Sequence, residues 1–401
     1  MKCDIAIVGG GPAGLSAAIE SVKNGCKVFL FEKSKEIGYP IHTSGGSWVD
    51  ELEKLNVPMQ FMHPIKCGDF VSTKKVVSFK YNKSPSCILD VRGFYQYLAE
   101  KASLKGANLF VNARVIEPII DMDQVTGLIV LINGKRYKIN SKITIDASGF
   151  NAIIGRKIGL VSEPKCYGKG AEYELIAPNW DQEKVSFFFG RKIAPSGYAW
   201  IFPRGGNRVR VGVAVIFPNT KKSPIVCLDN LIDSDLHNIE YLKPFSKIEF
   251  HYGLLPNDGI LKSTIYNGLI IVGDAAGQNL SIVGEGIRFA LDIGKIAGQV
   301  ALKAVLNSRN EKEFLIEYEK RWKKKYGLKF KISYEINKRL REYTEEQWEE
   351  RLEMLSKIKE DLLVDFLKAN FTFNFILRII KSNPNLLKRT SFKIIKKMLG
   401  I

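Results

Sequence analysis

Gly9-Gly10-Gly11-Pro12-Ala13-Gly14 follows the apolar, β-branched run Asp4 to Val8 and opens a helical segment that runs to about Lys23. A buried strand entering a glycine turn and then a helix aims unpaired N–H groups, and the positive end of the helix dipole, at an anion. The spacing of Gly9, Gly11 and Gly14 is that of G-x-G-x-x-G, with Pro12 and Ala13 between the last two. Gly9 permits the tight turn, Gly11 lets backbone amides reach a pyrophosphate, and Gly14 lets the helix lie close to the strand. Glu32, followed by Lys33, closes the second strand Lys27 to Phe31, 18 residues after Gly14. A carboxylate there accepts hydrogen bonds from both ribose hydroxyls and repels a 2′-phosphate. The chemistry implied is the binding of a dinucleotide with an unphosphorylated adenosine.

Two later clusters offer chemistry of the same kind. Ile265 to Val272 reads as a buried strand running into Gly273-Asp274-Ala275-Ala276-Gly277. Val283-Gly284-Glu285-Gly286-Ile287 then opens a long helix to about Leu306. Bare backbone amides at that helix start suit negative charge, and the glycines permit close approach of a ring. Arg92 lies in the first turn of the segment Asp90 to Gly106, where a guanidinium can pair with phosphate oxygens bidentately.

The elements that must position these residues read as an α/β chain. Glu36 to Gly46 is a glycine- and proline-marked loop, and Trp48 to Asn56 a short helix. Lys66 to Leu89 alternates in short strands, read as a small β insertion within the nucleotide-binding unit. Leu109 to Val115 returns to strand. A hairpin turns at Asn133-Gly134 between Leu128 to Ile132 and Tyr137 to Ile145, ending in Asp146-Ala147-Ser148-Gly149. Val185 to Gly190, Tyr198 to Pro203 and Val209 to Phe217 suggest a second sheet, and Ser223 to Leu242 a helix. Residues 311 to 365 read as charged amphipathic helices. The expected organisation is a Rossmann-type domain from residues 1–160 and 255–306, an antiparallel β-sheet substrate domain over 161–254, and a helical C-terminal region over 307–401.

At 401 residues the chain is long enough for two or three units with substantial cores. No apolar run is long enough to span a bilayer, and Met1-Lys2-Cys3-Asp4 leads directly into a strand, so a cytoplasmic protein is expected. The six cysteines are scattered and include no C-x-x-C pair, which argues against a metal site or a disulfide framework. The net charge of +18 matters through its placement. After Asp365 no acidic residue occurs, while Lys368, Arg378, Lys381, Lys388, Arg389, Lys393, Lys396 and Lys397 alternate with apolar residues. Such a tail either lies on an anionic membrane surface or caps the protein with its lysines solvated. No motif points to nucleic acid.

Taken together, GGGPAG with Glu32, the DASG turn and GDAAG resemble the FAD-dependent group typified by para-hydroxybenzoate hydroxylase. The resemblance implies FAD, with Asp274 at its ribityl and pyrophosphate region, Arg92 on the phosphates, Val115 beside the adenine, and Gly149 in the DASG turn. Pro195 to Pro203, PSGYAWIFP, is similar to the P-x-x-Y-x-W-x-F-P pattern of geranylgeranyl reductases, which saturate isoprenoid chains of archaeal lipids and related polyprenyl compounds. By that resemblance Tyr198, Trp200 and Phe202 border the pocket facing the flavin, with Tyr198 and Trp200 as the catalytic candidates. The family's Cys-Gly-Glu-Gly loop is absent; Thr43-Ser44-Gly45-Gly46 stands in its place.

The activity implied is hydride transfer from reduced flavin N5 to an isoprenoid C=C bond of a membrane lipid or polyprenyl compound. Tyr198, His42 and water are the candidate proton sources. With a single G-x-G-x-x-G, electrons would come from ferredoxin or from transiently docked NAD(P)H. The alternatives are an aromatic monooxygenase or halogenase on the same scaffold, or a flavin electron-relay protein.

Overall fold

The computed structural model describes residues 1–372, together with residues 374, 375 and 378. Its nucleotide-binding core is a six-stranded sheet in the order Ile265–Tyr266, Leu269–Ile271, Ile143–Asp146, Ile5–Val8, Val28–Phe31, Asn108–Phe110, with every pairing parallel except the first. Ile5–Val8 and Val28–Phe31 are wholly buried, as expected of strands covered on both faces. The helix Pro12–Ser21 packs against the long helix Ile287–Leu306. Gly294 and Gly298 set that separation: a side chain at either would run into the backbone of Ala13 or Ala17.

A seven-stranded sheet runs Ser246–Pro256, Tyr167–Ile176, Arg208–Phe217, Tyr198–Gly205, Lys184–Phe188, Cys67–Val71, Val76–Lys80. Two smaller three-stranded sheets flank the core. One contains Ala113–Asp121, Gln124–Ile132 and Lys135–Asn140, the other Gly46–Trp48, Ser86–Leu89 and Met62–Ile65. The helices Lys312–Trp322, Leu328–Leu340, Glu345–Leu355 and Glu360–Leu367 follow.

Several local readings change. Strands expected to form a separate insertion near 66–89 instead complete the large sheet, since Cys67–Val71 pairs in parallel with Lys184–Phe188. Backbone hydrogen bonds between stretches so distant in the chain are invisible to a local pattern. The strand expected at 109–115 is broken at Asn112, which adopts φ 49°. The long second arm of the Asn133-Gly134 hairpin stops at Asn140, and Ile143–Asp146 leaves it for the parallel sheet. Ile265 to Val272 is a short hairpin turning at Asn267-Gly268, not one strand. Trp48 ends a strand, and the helix begins at Val49. Only Pro224–Ile232 of the segment 223–242 is α-helical.

Among the described residues no helix is long and apolar enough to cross a membrane. The first part of the basic tail is integrated into the body. Lys368 is buried, pairs with Asp50 at 2.6 Å and lies over the Trp48 ring, while Arg378 pairs with Asp361 and Asp365. The membrane-facing role expected of the tail falls mainly on Lys381 to Lys397, outside the described residues.

Candidate active site

One cavity of about 1250 Å³ joins the glycine turn to the large sheet and to the C-terminal helices. Gly9, Gly11, Pro12, Ala13, Glu32, Lys33, Val115, Gly149, Gly273, Asp274 and Gly284 to Ile287 line one end of it. Tyr198, Trp200 and Phe202 line the middle. Leu355, Leu362, Leu363, Phe366 and Phe371 add an apolar wall. Two predicted residues do not face it. Gly14 serves the packing beneath, where a side chain would collide with the Gly9 carbonyl. Arg92 donates to Glu36 at 2.8 Å and lies over Tyr39. This half-exposed pair is worth only about 0–1 kcal/mol, so exchanging the carboxylate for a phosphate costs little.

The dinucleotide end fits FAD on three observations. First, Gly9 has φ 106° and abuts the Ala147 carbonyl, whereas a Cβ on Gly11 would project into open space, where a pyrophosphate needs room. Second, each oxygen of Glu32 accepts a single 2.8 Å backbone bond, from Gly10 and from Ser34, leaving acceptor capacity for ribose hydroxyls. Third, burial pushes the Asp274 carboxyl up to about 6, and among the described residues no protein donor reaches its side chain. A carboxyl in that state calls for hydroxyl donors from a ligand.

At the mouth of Ile287–Leu306 no side chain caps the helix, so its first N–H groups remain available to an anion. The Glu285 side chain is engaged by protein partners. It accepts from Ser47 at 2.8 Å and pairs with Arg288 at 3.0 Å, and Arg288 in turn reaches Glu51 at 3.2 Å and the Lys368 carbonyl at 3.0 Å. Glu285 therefore anchors the helix start through its side chain.

The aromatic middle is held by polar bonds that spacing alone did not reveal. Tyr198 donates to the Val283 carbonyl at 2.6 Å, and burial pushes its phenol well above the ordinary range. Trp200 donates to Glu172 at 2.8 Å, so the indole N–H is committed to orientation and does not serve as an acid. Phe202 meets the Phe187 ring edge-on with centroids 5.3 Å apart. His42 donates through Nδ1 to the Tyr252 carbonyl, 2.8 Å away, at the exposed rim.

Behind Trp200 lies a charged cluster built from alternate residues of neighbouring strands. His251 is flanked by Glu172 at 2.9 Å and Glu249 at 3.1 Å. Arg210 lies 3.2 Å from Glu174 and donates to the Ser44 carbonyl at 2.7 Å. Glu172 and Glu174 share one strand face; two acids in an otherwise apolar strand were the available signal. Burial opposes charge on His251, but hydrogen bonds and charge from Glu172 and Glu249 outweigh it and raise its pKa from the ordinary 6.5. Desolvation likewise opposes charge on Glu172, yet His251 and Arg210 hold its carboxyl below the usual range.

The stability supplied by the imidazolium is therefore complete below about pH 6.5 and is lost as the pH rises through the raised folded value. His251→Gln should lower the urea midpoint most near pH 6, and the gap to the parent protein should narrow toward pH 9. A gap that stays constant across this range would contradict a charged His251.

Comparison with known proteins follows the same division of the chain. Residues 4–157 match the FAD dependent oxidoreductase family, and residues 167–252 match the geranylgeranyl reductase catalytic domain. A digeranylgeranylglycerophospholipid reductase from Methanococcoides burtonii is 34% identical over 328 residues, covering 80% of this chain and 79% of its own. One from Methanocaldococcus jannaschii is 36% identical, covering 80% and 82%. The crystal structure of a geranylgeranyl bacteriochlorophyll reductase-like protein from Thermoplasma acidophilum superimposes with TM-score 0.85 at 24% identity, over 97% of this chain and 98% of that one. With the FAD fold, the aromatic-lined cavity and these relatives in agreement, the chain belongs to the digeranylgeranylglycerophospholipid reductase family of FAD-dependent oxidoreductases.

Proposed function

We propose that this protein saturates C=C bonds in the geranylgeranyl chains of a glycerophospholipid. The observation that carries the reading is the continuity of one cavity lined by the dinucleotide turn, by Tyr198 and Trp200, and by a wall of leucine and phenylalanine. Bound FAD supplies a hydride when reduced. The chain's own residues do the rest.

Apolar walls accept a prenyl chain and exclude water. The Ile287–Leu306 helix mouth favours negative charge at the flavin end. Tyr198 stands at that end with its hydroxyl fixed by Val283. The Tyr198 hydroxyl, turned from the Val283 carbonyl toward the bound chain, or a water beside it delivers the proton, and Trp200 and Phe202 shape the wall. Electrons arrive from ferredoxin or from docked NAD(P)H. The lysines beyond Arg378 bring the protein to the anionic surface where its substrate resides.

The deciding experiment uses the purified yellow protein, reduced by dithionite without oxygen and mixed with a digeranylgeranyl glycerophospholipid. Product masses should rise in steps of two hydrogens as the flavin is reoxidised. Reoxidation that waits for air and yields an oxygenated product would overturn the reading. Tyr198→Phe, which removes only the hydroxyl, should slow single-turnover reoxidation by about 10²-fold. An unchanged rate would assign the proton to water alone.

A further inference from the structure

We propose that Arg341 and Arg351 bind the phosphate of the lipid headgroup and so hold the polar end of the substrate while its chains enter the cavity. The inference rests on the reading of the substrate above and adds a site to it. Both arginines line the cavity and both are half-buried. Their protein partners are soft or neutral. Arg341 donates to the Cys166 sulfur at 2.7 Å, and its Nε is buried without a partner. Arg351 donates to the Tyr343 hydroxyl at 3.0 Å and to the Met354 sulfur at 3.2 Å, with its guanidinium 5.4 Å from the Tyr343 ring centre.

Among the described residues, neither has a carboxylate within ion-pair distance. Other buried or half-buried arginines of this protein do have one: Arg204 and Arg210 share Glu174, and Arg288 has Glu285. A guanidinium offered only thiol, thioether and phenol keeps its charge and much of its hydrogen-bonding capacity for an incoming anion. A phosphate matches that fork bidentately, and low-dielectric walls strengthen the attraction.

The two arginines are also held in place. Arg191 clamps the turn between their helices by donating to the carbonyls of Glu342 and Tyr343, each at 2.8 Å. An aromatic wall leads from them to the flavin end. Tyr343 lies 5.3 Å from Trp348, Trp348 stacks at 4.8 Å on Phe189, and Phe189 lies 6.3 Å from Tyr198. A phosphate held at one end of this wall leaves an attached prenyl chain running along it toward Tyr198.

The test uses the full-length FAD-loaded protein and two probes, digeranylgeranylglyceryl phosphate and uncharged geranylgeraniol. Binding is followed by tryptophan fluorescence, and turnover is measured with dithionite as reductant. Arg341→Gln and Arg351→Gln should each raise the Kd and KM for the phosphate about tenfold while geranylgeraniol stays within about twofold. Arg351→Lys should recover part of the loss by restoring charge. Inorganic phosphate should compete with the phospholipid in the parent protein. Equal losses for both probes, or none for either, overturn the proposal. A variant that weakens NADPH binding but not lipid binding also overturns it, by assigning the arginines to the electron donor. Phosphate-selective binding without turnover would instead sustain this site and refute the reductase reading.

Discussion

Gly11→Val is expected to give a folded but colourless protein. The backbone at Gly11 is extended, with φ −80° and ψ −178°, a conformation open to any residue. Nothing lies within 4 Å of an added Cβ, so the branch starts in open space. The space it fills is the space a pyrophosphate needs above the N–H groups of Pro12–Ser21. FAD affinity should fall by on the order of 100-fold or more, about 3 kcal/mol, while the urea midpoint of the FAD-free form stays unchanged. Absorbance of the purified protein and titration with added FAD provide the readout. A yellow variant with parental affinity would mean that FAD is held elsewhere. Gly14→Val would be a poor substitute, since it collides with the Gly9 carbonyl and would confound binding with folding.

Glu174→Ala should be the most destabilising single change in the large sheet. Three arginines converge on this fully buried carboxylate: Arg204 at 2.8 Å, Arg208 at 3.0 Å and Arg210 at 3.2 Å. Arg210 is itself fully buried and already carries one unpartnered nitrogen. Removing the acid leaves the buried Arg210 with only its longer 3.7 Å contact to Glu172, a change that costs about 3–5 kcal/mol. Chemical denaturation should show the loss directly. Replacing Glu174 and Arg210 together by Leu and Met should recover a large part of it, because a buried pair is often no better than its apolar counterpart. A single variant as stable as the parent would mean that water, and not Glu174, compensates these arginines.

The dinucleotide end was legible in the sequence because its requirements are local. Gly9, Gly11, Gly14 and Glu32 lie within one strand-turn-helix-strand unit, and Gly284 to Ile287 lie at one helix start, so spacing carried the geometry. The pocket aromatics were legible through the resemblance of Pro195 to Pro203 to the geranylgeranyl reductase pattern, since alternation along one strand does not by itself mark a pocket. What escaped were partners brought together from distant stretches of the chain. His251 meets Glu172 from a neighbouring strand, Ser47 reaches Glu285, and Cys67–Val71 joins Lys184–Phe188 across more than a hundred residues. Gly294 and Gly298, at i and i+4 of one helix, cost helix stability in isolation, and only the packed helix pair shows their purpose. The absent Cys-Gly-Glu-Gly loop finds its physical counterpart here in Ser44, whose carbonyl is held by Arg210, and in Gly46, whose missing side chain leaves room for the Phe202 ring.

The apolar wall of the cavity, from Leu355 to Phe371, consists of side chains that offer an alkyl chain contact but no hydrogen bond. A surface of that kind is slippery, because successive five-carbon units look alike to it and none is favoured over the next. A chain tethered at its polar end could then shuttle inward without leaving, so that one landing of the lipid serves several successive saturations. Partly reduced chains would be scarce in solution, and the distribution of products would be governed by residence time more than by recognition of any single bond.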